Sequence, residues 1–373
     1  MLGVKGYLSN NTTEQGPGSD GSDADFNFQY DDNPAYPNQS RYKYPNRNVA
    51  VFSESVIYLT DRFSITPGLR FEFISTESDG FFRRINTDAA GNVILNEQVD
   101  ENALRERSFL LAGLGSSFKV KEDVELYLNA TQNYRSVTFT DISIVNPAFV
   151  IAPDIGDERG YTIDLGVRGK WKSYLRFDTN VFAIGYNDRI GFTQQAQDDG
   201  SVKTVRDNVG DAFIYGLELG EQWNIDRTLG MSTDYIFNHF VNLAVIDSEY
   251  VRSEENGVEG NSVEFIPQIN LKTGVRFGYK DYLMNVQYTY LAEQFTDATN
   301  AIDGNLSGVI GIIPAYNILD ISASYRYKFA KLEIGVNNVL NEFYFTRRAT
   351  GYPGPGIIPS PDRNVYATLE MRF

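Results

Sequence analysis

Leu319-Asp320-Ile321-Ser322-Ala323-Ser324-Tyr325-Arg326-Tyr327 alternates apolar and polar side chains at every step, and the short connection Phe329-Ala330-Lys331 follows it. A period of two places Leu319, Ile321, Ala323, Tyr325 and Tyr327 on one face of an extended strand, with Asp320, Ser322, Ser324 and Arg326 on the other. The pattern recurs along the chain. Ile65, Leu69, Phe71 and Phe73 oppose Ser64, Thr66, Arg70 and Glu72. Val124, Leu126, Leu128 and Ala130 oppose Glu125, Tyr127, Asn129, Thr131 and Asn133. Tyr161, Ile163, Leu165 and Val167 oppose Thr162, Asp164, Gly166 and Arg168, and the run from Asn364 to Phe373 behaves the same way. Helical periodicity does not persist over a useful length. Alternation alone fits a soluble sandwich as well as a membrane barrel, so the fold is decided by the connections.

Two kinds of connection alternate. Short turns lie at Thr60-Asp61-Arg62, Lys121-Glu122-Asp123, Lys170-Trp171-Lys172, Asn224 to Thr228, Tyr279-Lys280-Asp281 and Phe329-Ala330-Lys331. Long loops are expected near residues 8–46, 77–105, 136–158, 189–207, 242–264, 295–315 and 348–362. Tight turns on one rim and long loops on the other are the pattern of a transmembrane barrel, and a sandwich has no reason to segregate its loops in this way. The expected fold is all-β, an antiparallel transmembrane β-barrel of which about fourteen strands are legible, each long enough to cross at a tilt.

Composition agrees and excludes other classes. The 373 residues carry 33 Lys plus Arg against 49 Asp plus Glu, a net charge of −16, which argues against nucleic acid as a partner. With no Cys there is no disulfide framework, thiolate zinc site, iron–sulfur cluster or cysteine nucleophile. The single His239 makes a His-rich metal site impossible and a catalytic triad implausible, so no enzyme is expected. Sharing parity with Met231, Thr233, Tyr235 and Phe237, it reads as a girdle or rim residue on the lipid side, toward the loop end of its strand. No apolar run reaches the roughly 18 residues of a membrane helix. The acids Asp20, Asp23, Asp25, Asp31 and Asp32 read as a solvated loop, and no metal or other cofactor is called for.

The start, Met1 to Tyr7, has neither a charged segment nor an apolar export segment and reads as a strand. The chain stops at Phe373, on the apolar face of an alternating strand. A terminal aromatic there resembles the targeting signal read by the outer-membrane barrel assembly machinery.

Four segments carry a family resemblance. Ile334 to Tyr344 (Ile-Gly-Val-Asn-Asn-Val-Leu-Asn-Glu-Phe-Tyr) is similar to the N-L-F-D-x-x-Y segment of TonB-dependent outer-membrane receptors. Leu59 to Phe71 resembles their L-T-D-R-x-x-x-x-P-G-L-R hairpin, and Gly210 to Glu218 resembles another hairpin start. The tail from Phe345 to Pro359 is similar to the last loop of the ferric-dicitrate type. The likeness covers essentially residues 1–373. Such receptors have an export signal, a TonB box, a plug and a barrel of twenty-two strands. The resemblance therefore implies that this chain is the C-terminal portion of that barrel, without its plug.

The resemblance also implies a function: energised import of a ferric chelate such as iron(III) dicitrate across the outer membrane of a Gram-negative cell. The implied partners are outer-membrane lipid and lipopolysaccharide, the assembly machinery, the chelate, and a TonB complex reached through the plug. An anionic chelate wants guanidinium forks, so Arg347 and Arg348, at the loop end of the penultimate strand with Tyr352 beside them, are the first candidates, followed by Arg135 and Gln132 at the top of another strand. The prolines of Gly351 to Gly356 remove the donors a phosphate cradle needs, and by fixing φ they make the segment read as a rigid loop. The alternative function is a self-contained passive channel of about fourteen strands.

Overall fold

The computed structural model describes residues 1–16, 39–87, 90, 92–138, 149–196, 202–305, 308–349 and 356–372. Tyr352, Phe373 and the acidic run from Asp20 to Asp32 lie outside the described residues, as does most of the segment Gly351 to Gly356. The strands are β1 (Leu2–Gln15), β2 (Ser40–Glu54), β3 (Ile57–Tyr58), β4 (Phe63–Thr87), β5 (Val93–Lys121) and β6 (Val124–Arg135). They continue with β7 (Phe149–Ile151), β8 (Glu158–Trp171), β9 (Leu175–Ala196), β10 (Val202–Asn224), β11 (Tyr235–Arg252) and β12 (Ile269–Tyr279). The last are β13 (Tyr282–Leu291), β14 (Tyr316–Tyr327), β15 (Ala330–Asn337), β16 (Phe345–Ala349), β17 (Gly356–Pro359) and β18 (Asn364–Met371), with one short helix, α1 (Ile225–Thr228).

The hydrogen-bonded order is β1-β2-β4-β5-β6-β8-β9-β10-β11-β12-β13-β14-β15-β18, an up-and-down path of fourteen strands among the described residues. β3 adds to β4, β7 pairs in parallel with β10, and β16 and β17 form a separate two-stranded sheet.

The chain divides into two compact units. In the first (residues 1–55, 67–112 and 137–145), β1 pairs with β2 from Leu2↔Ser53 to Gln15↔Ser40, and β2 pairs with β4 from Glu54↔Gly68 to Ser40↔Phe82. One face holds Tyr42, Tyr44, Asn48, Glu72 and Thr76. Tyr42 donates to Glu101 at 2.9 Å, Asn48 to Glu72 at 2.7 Å and Arg107 to Thr76 at 3.2 Å. The other face exposes Val49, Val51, Leu69 and Phe71.

The second unit (residues 56–66, 113–136 and 146–373) has the same inverted polarity on a larger scale. Leu126, Leu128, Ile163, Leu165, Val181, Leu217, Val275, Phe277, Ile334 and Leu369 are exposed on one face. The opposite face carries a ladder of polar pairs: Arg168 with Glu125, Asn129 with Asp164, Tyr127 with Asp178 and Asn180 with Glu218. Apolar residues exposed outward in a continuous band would aggregate in water, whereas in lipid they are solvated. At the short-turn rim the outward face ends in aromatics. Tyr235 lies 4.8 Å from Tyr279, Tyr282 lies 4.5 Å from Tyr325, and Trp171 and Trp223 sit one residue or less from a strand end. Amphipathic rings collect at such a rim because they bridge hydrocarbon and headgroups.

The loops are shorter than alternation alone indicates. β4 and β5 reach Thr87 and resume at Val93, β9 and β10 fill most of 189–207, and β11 runs on to Arg252. A strand needs an apolar face only within lipid. Beyond the membrane the ladder continues while the hydrophobic signal stops, so 77–105, 189–207 and the first part of 242–264 read as loop. His239 is corrected by the same fact, since it lies near the start of β11, at the short-turn end. It does share the outward face with Phe237, but its ring is tied to Glu221 through Nδ1 and to Thr273 through Nε2, both at 3.1 Å.

Candidate ligand-binding site

The long-loop end of the second unit gathers its charged side chains around a defect in the strand pairing. Along β9 the even residues Asp178, Asn180, Phe182, Ile184 and Tyr186 face inward, so unbroken alternation would send Arg189 outward. Asp188 interrupts it with φ 55°, a left-handed conformation that Asp tolerates better than most residues. The β9–β10 register slips opposite it, between Asn208 and Gly210 and again between Gly210 and Ala212. This bulge re-aims the next side chain. Asn208 pins it, its Nδ2 donating to Asp188 O at 2.6 Å and to Gly156 O at 3.1 Å, while its Oδ1 accepts from Gly156 N. Asp211 adds a contact by accepting from Asp188 N at 3.1 Å.

Arg189, turned inward, meets Glu264 from the loop between β11 and β12. Its Nη2 lies 3.5 Å from Glu264 Oε1, and Tyr250 donates its hydroxyl to Glu264 Oε2 at 2.7 Å. Tyr250 is fully buried and Glu264 nearly so. A second buried carboxylate, Glu158, accepts from Arg135 Nη1 at 2.6 Å and from Ile190 N at 2.8 Å. The two arginines and two glutamates cancel in charge. The loops close over them through a small apolar core in which Val258, Val263 and Ala298 meet Val209, Ala212, Ile214 and Tyr250.

Arg135 thus lies inward, in an ion pair with Glu158. Gln132 stands on the face of Leu126 and Leu128, opposite Tyr161, so the structure does not bring it beside Arg135. Arg347 and Arg348 sit on β16, outside the fourteen-strand path, rather than on the penultimate strand of the sheet. Arg347 is exposed. Arg348 donates to Gly308 O and Ile312 O, both at 2.9 Å, and lies 5.3 Å over the Phe345 ring. No carboxylate pairs with it among the described residues, and burial holds its pKa below the usual guanidinium value. It clamps the loop before β14, where Gly311 takes φ 120° and a Cβ would stand 3.0 Å from Gly304.

Sequence reasoning missed Arg189, Glu158, Tyr250 and Glu264, which fell in or beside stretches read as loop. The one local signal was Asn187-Asp188, a pair suited to a left-handed turn inside an alternating run. Nearer the short-turn rim, a recess of about 530 Å³ is lined in part by the amides of Gln222, Asn238, Asn285, Gln287 and Asn337, with Arg276 and Asp320.

A meander with an apolar outer band, an aromatic rim and a polar inner wall is the wall of an outer-membrane β-barrel. The chain belongs to the TonB dependent receptor-like, beta-barrel family, which it matches over residues 3–339. It is 25% identical over 245 residues to the pesticin receptors of Yersinia enterocolitica and Yersinia pestis, covering 65% of this chain and 32% of theirs. It therefore spans about a third of the length of those relatives. Among solved structures, it resembles the ferric yersiniabactin uptake receptor FyuA of Yersinia pestis (TM-score 0.68, 18% identity, 90% of this chain and 47% of that one). It also resembles the unliganded ferric citrate transporter FecA (0.65, 16%, 90% and 55%) and the copper transporter OprC (0.69, 16%, 100% and 54%). These likenesses concern the fold. The family is one of non-enzymatic transport barrels.

Proposed function

We propose that this chain forms the wall of a receptor that binds a ferric chelate outside the cell and imports it with energy delivered through TonB. Family membership over residues 3–339 carries the reading. Relatives of the same fold are named for iron chelates and for copper, so the fold leaves the cargo open. Among ferric chelates, iron(III) dicitrate is favoured by the likeness of the Phe345–Pro359 tail to the dicitrate type. An anionic cargo also suits Arg347, exposed beside Arg348, which has no acidic partner among the described residues. Arg347, Arg348 and Tyr352 are accordingly proposed as contacts at the loop end, with Arg135 contributing only when its pairing with Glu158 opens. Gln132, on the outward face with Leu126 and Leu128, is left out of the proposal.

The test is uptake. The complete reading frame containing this chain is expressed in a Gram-negative host deleted for its own ferric-chelate receptors and supplied with radiolabelled ferric citrate. Accumulation that requires TonB, and falls at least severalfold in Arg347→Ala and Arg348→Ala, is expected. Entry of small solutes without TonB and without selectivity would instead establish the passive channel.

A further inference from the structure

The pocket around Glu264 is built for a carboxylate, and the carboxylate inside it belongs to the chain itself. Tyr250 supplies a hydroxyl donor at 2.7 Å and Arg189 supplies the cation. Gly191 supplies the space, since a Cβ there would stand 2.8 Å from Glu264 Oε1 and 3.2 Å from the Tyr250 hydroxyl.

Glu264 fills this pocket poorly. A guanidinium takes a carboxylate best through two parallel bonds from its fork. Here one contact is made, at 3.5 Å, and Arg189 Nε is buried without a hydrogen-bond partner. The tether accounts for the mismatch. Phe265, the next residue, has φ 61°, a conformation that bulky side chains avoid, and its N–H is held by Phe295 O at 2.9 Å. The backbone is thus bent to deliver Glu264 as far as it reaches. A carboxylate free of that backbone can engage both Nε and Nη2.

We propose that Arg189, Tyr250 and Gly191 form a carboxylate-binding subsite, and that Glu264 is an internal occupant which a carboxylate-bearing ligand displaces. This rests on the chelate-receptor reading and deepens it, because it names the ligand group recognised and where. Displacement frees the loop of residues 253–268, which Glu264 anchors at one end and Val258 and Val263 hold by burial. Recognition and loop movement are then one event, and a ligand without carboxylates does not trigger it.

The probes are iron-free citrate and a neutral ferric hydroxamate, applied to the full-length protein in detergent. Residues 1–373 have no cysteine, so with any cysteine elsewhere in the full-length protein replaced by serine, Glu259→Cys, at an exposed loop position, carries a single nitroxide. Millimolar citrate is expected to raise nitroxide mobility, and the hydroxamate is not. Glu264→Gln removes the competing charge and is expected to tighten citrate binding about tenfold, as removal of an occluded state requires. Arg189→Gln should abolish the response. Gly191→Ala fills the carboxylate space without changing charge and should weaken citrate binding severalfold, which keeps the test valid if Glu264→Gln disorders the loop.

Unchanged citrate affinity in Gly191→Ala, no citrate binding by the wild type, or binding that leaves the label unmoved would each overturn the subsite. TonB-dependent uptake of a ferric chelate with a silent label would end this inference and keep the import reading. Citrate binding with a mobile label but no uptake would do the reverse.

Discussion

Asn208 is the residue on which the position of Arg189 depends, so Asn208→Ala should loosen the long-loop end of the second unit without touching the membrane wall. The substitution removes two donated bonds, to Asp188 O and Gly156 O, and the acceptor of Gly156 N. Three side-chain bonds at about 1 kcal/mol each give a loss of about 3 kcal/mol. At about 1.4 kcal/mol per factor of ten, local opening of residues 152–158 and 188–191 should rise about a hundredfold. Amide hydrogen exchange read by mass spectrometry measures this. Peptides covering Ile269–Leu291, in β12 and β13, serve as the internal control and should not change. Asn208→Asp keeps the acceptor of Gly156 N but sets a carboxylate oxygen against Asp188 O and Gly156 O, so it should open the segment at least as much as Asn208→Ala. If protection of 188–191 changes less than threefold in Asn208→Ala, the bulge is not held by this side chain and its placement of Arg189 needs another cause.

Other consequences follow from the strand packing. Gly216 faces β11 so closely that a Cβ would stand 2.4 Å from Val245 O, while at Gly220 the nearest atom is 3.7 Å away. Gly216→Val should prevent assembly of the heat-modifiable folded form on gels, and Gly220→Ala should leave it intact. Glu158→Ala strips Arg135 and Ile190 N of a buried acceptor, and the half-exposed Arg135 recovers part of the loss in water. A cost of about 2–3 kcal/mol is expected, read as a lower midpoint of heat modification. Arg168→Ala breaks an ion pair whose arginine is more than half exposed, so its midpoint should move by less than about 1 kcal/mol equivalent, and less still at high salt.

The wall of the barrel was legible in the sequence because one physical rule writes it. Lipid on one side and water on the other force strict alternation, so Leu126 against Tyr127 and Ile163 against Asp164 could be assigned without coordinates. The turn positions were legible too, as at Lys280-Asp281 and Lys121-Glu122-Asp123. What failed lies outside the membrane. There the upper parts of β4, β5, β9 and β10 have no lipid against them, and many of the side chains they bury are polar, such as Thr76, Ser78, Thr193 and Thr204, so the ladder continues without a hydrophobic period. The bulge at Asp188 then inverts parity, so Arg189, Ile190 and Gly191 face opposite to what the lower strand implies. Arg348 was singled out for its charge, and the structure gives it a clamping role on carbonyls that no spacing foretells. Gln132 shares the height of Arg135 on β6 but has the parity of Leu126 and Leu128, so the two side chains point to opposite faces.

The most direct test of the central claim is a cysteine scan of β8 from Tyr161 to Arg168 in native outer membranes, for which residues 1–373 supply no competing cysteine. Nitroxides at positions 161, 163, 165 and 167 should relax with dissolved oxygen, and those at 162, 164, 166 and 168 with a water-soluble nickel chelate, in strict alternation. Equal access of the nickel chelate to both series would mean that the apolar band does not face lipid, and the chain would not be a membrane barrel wall.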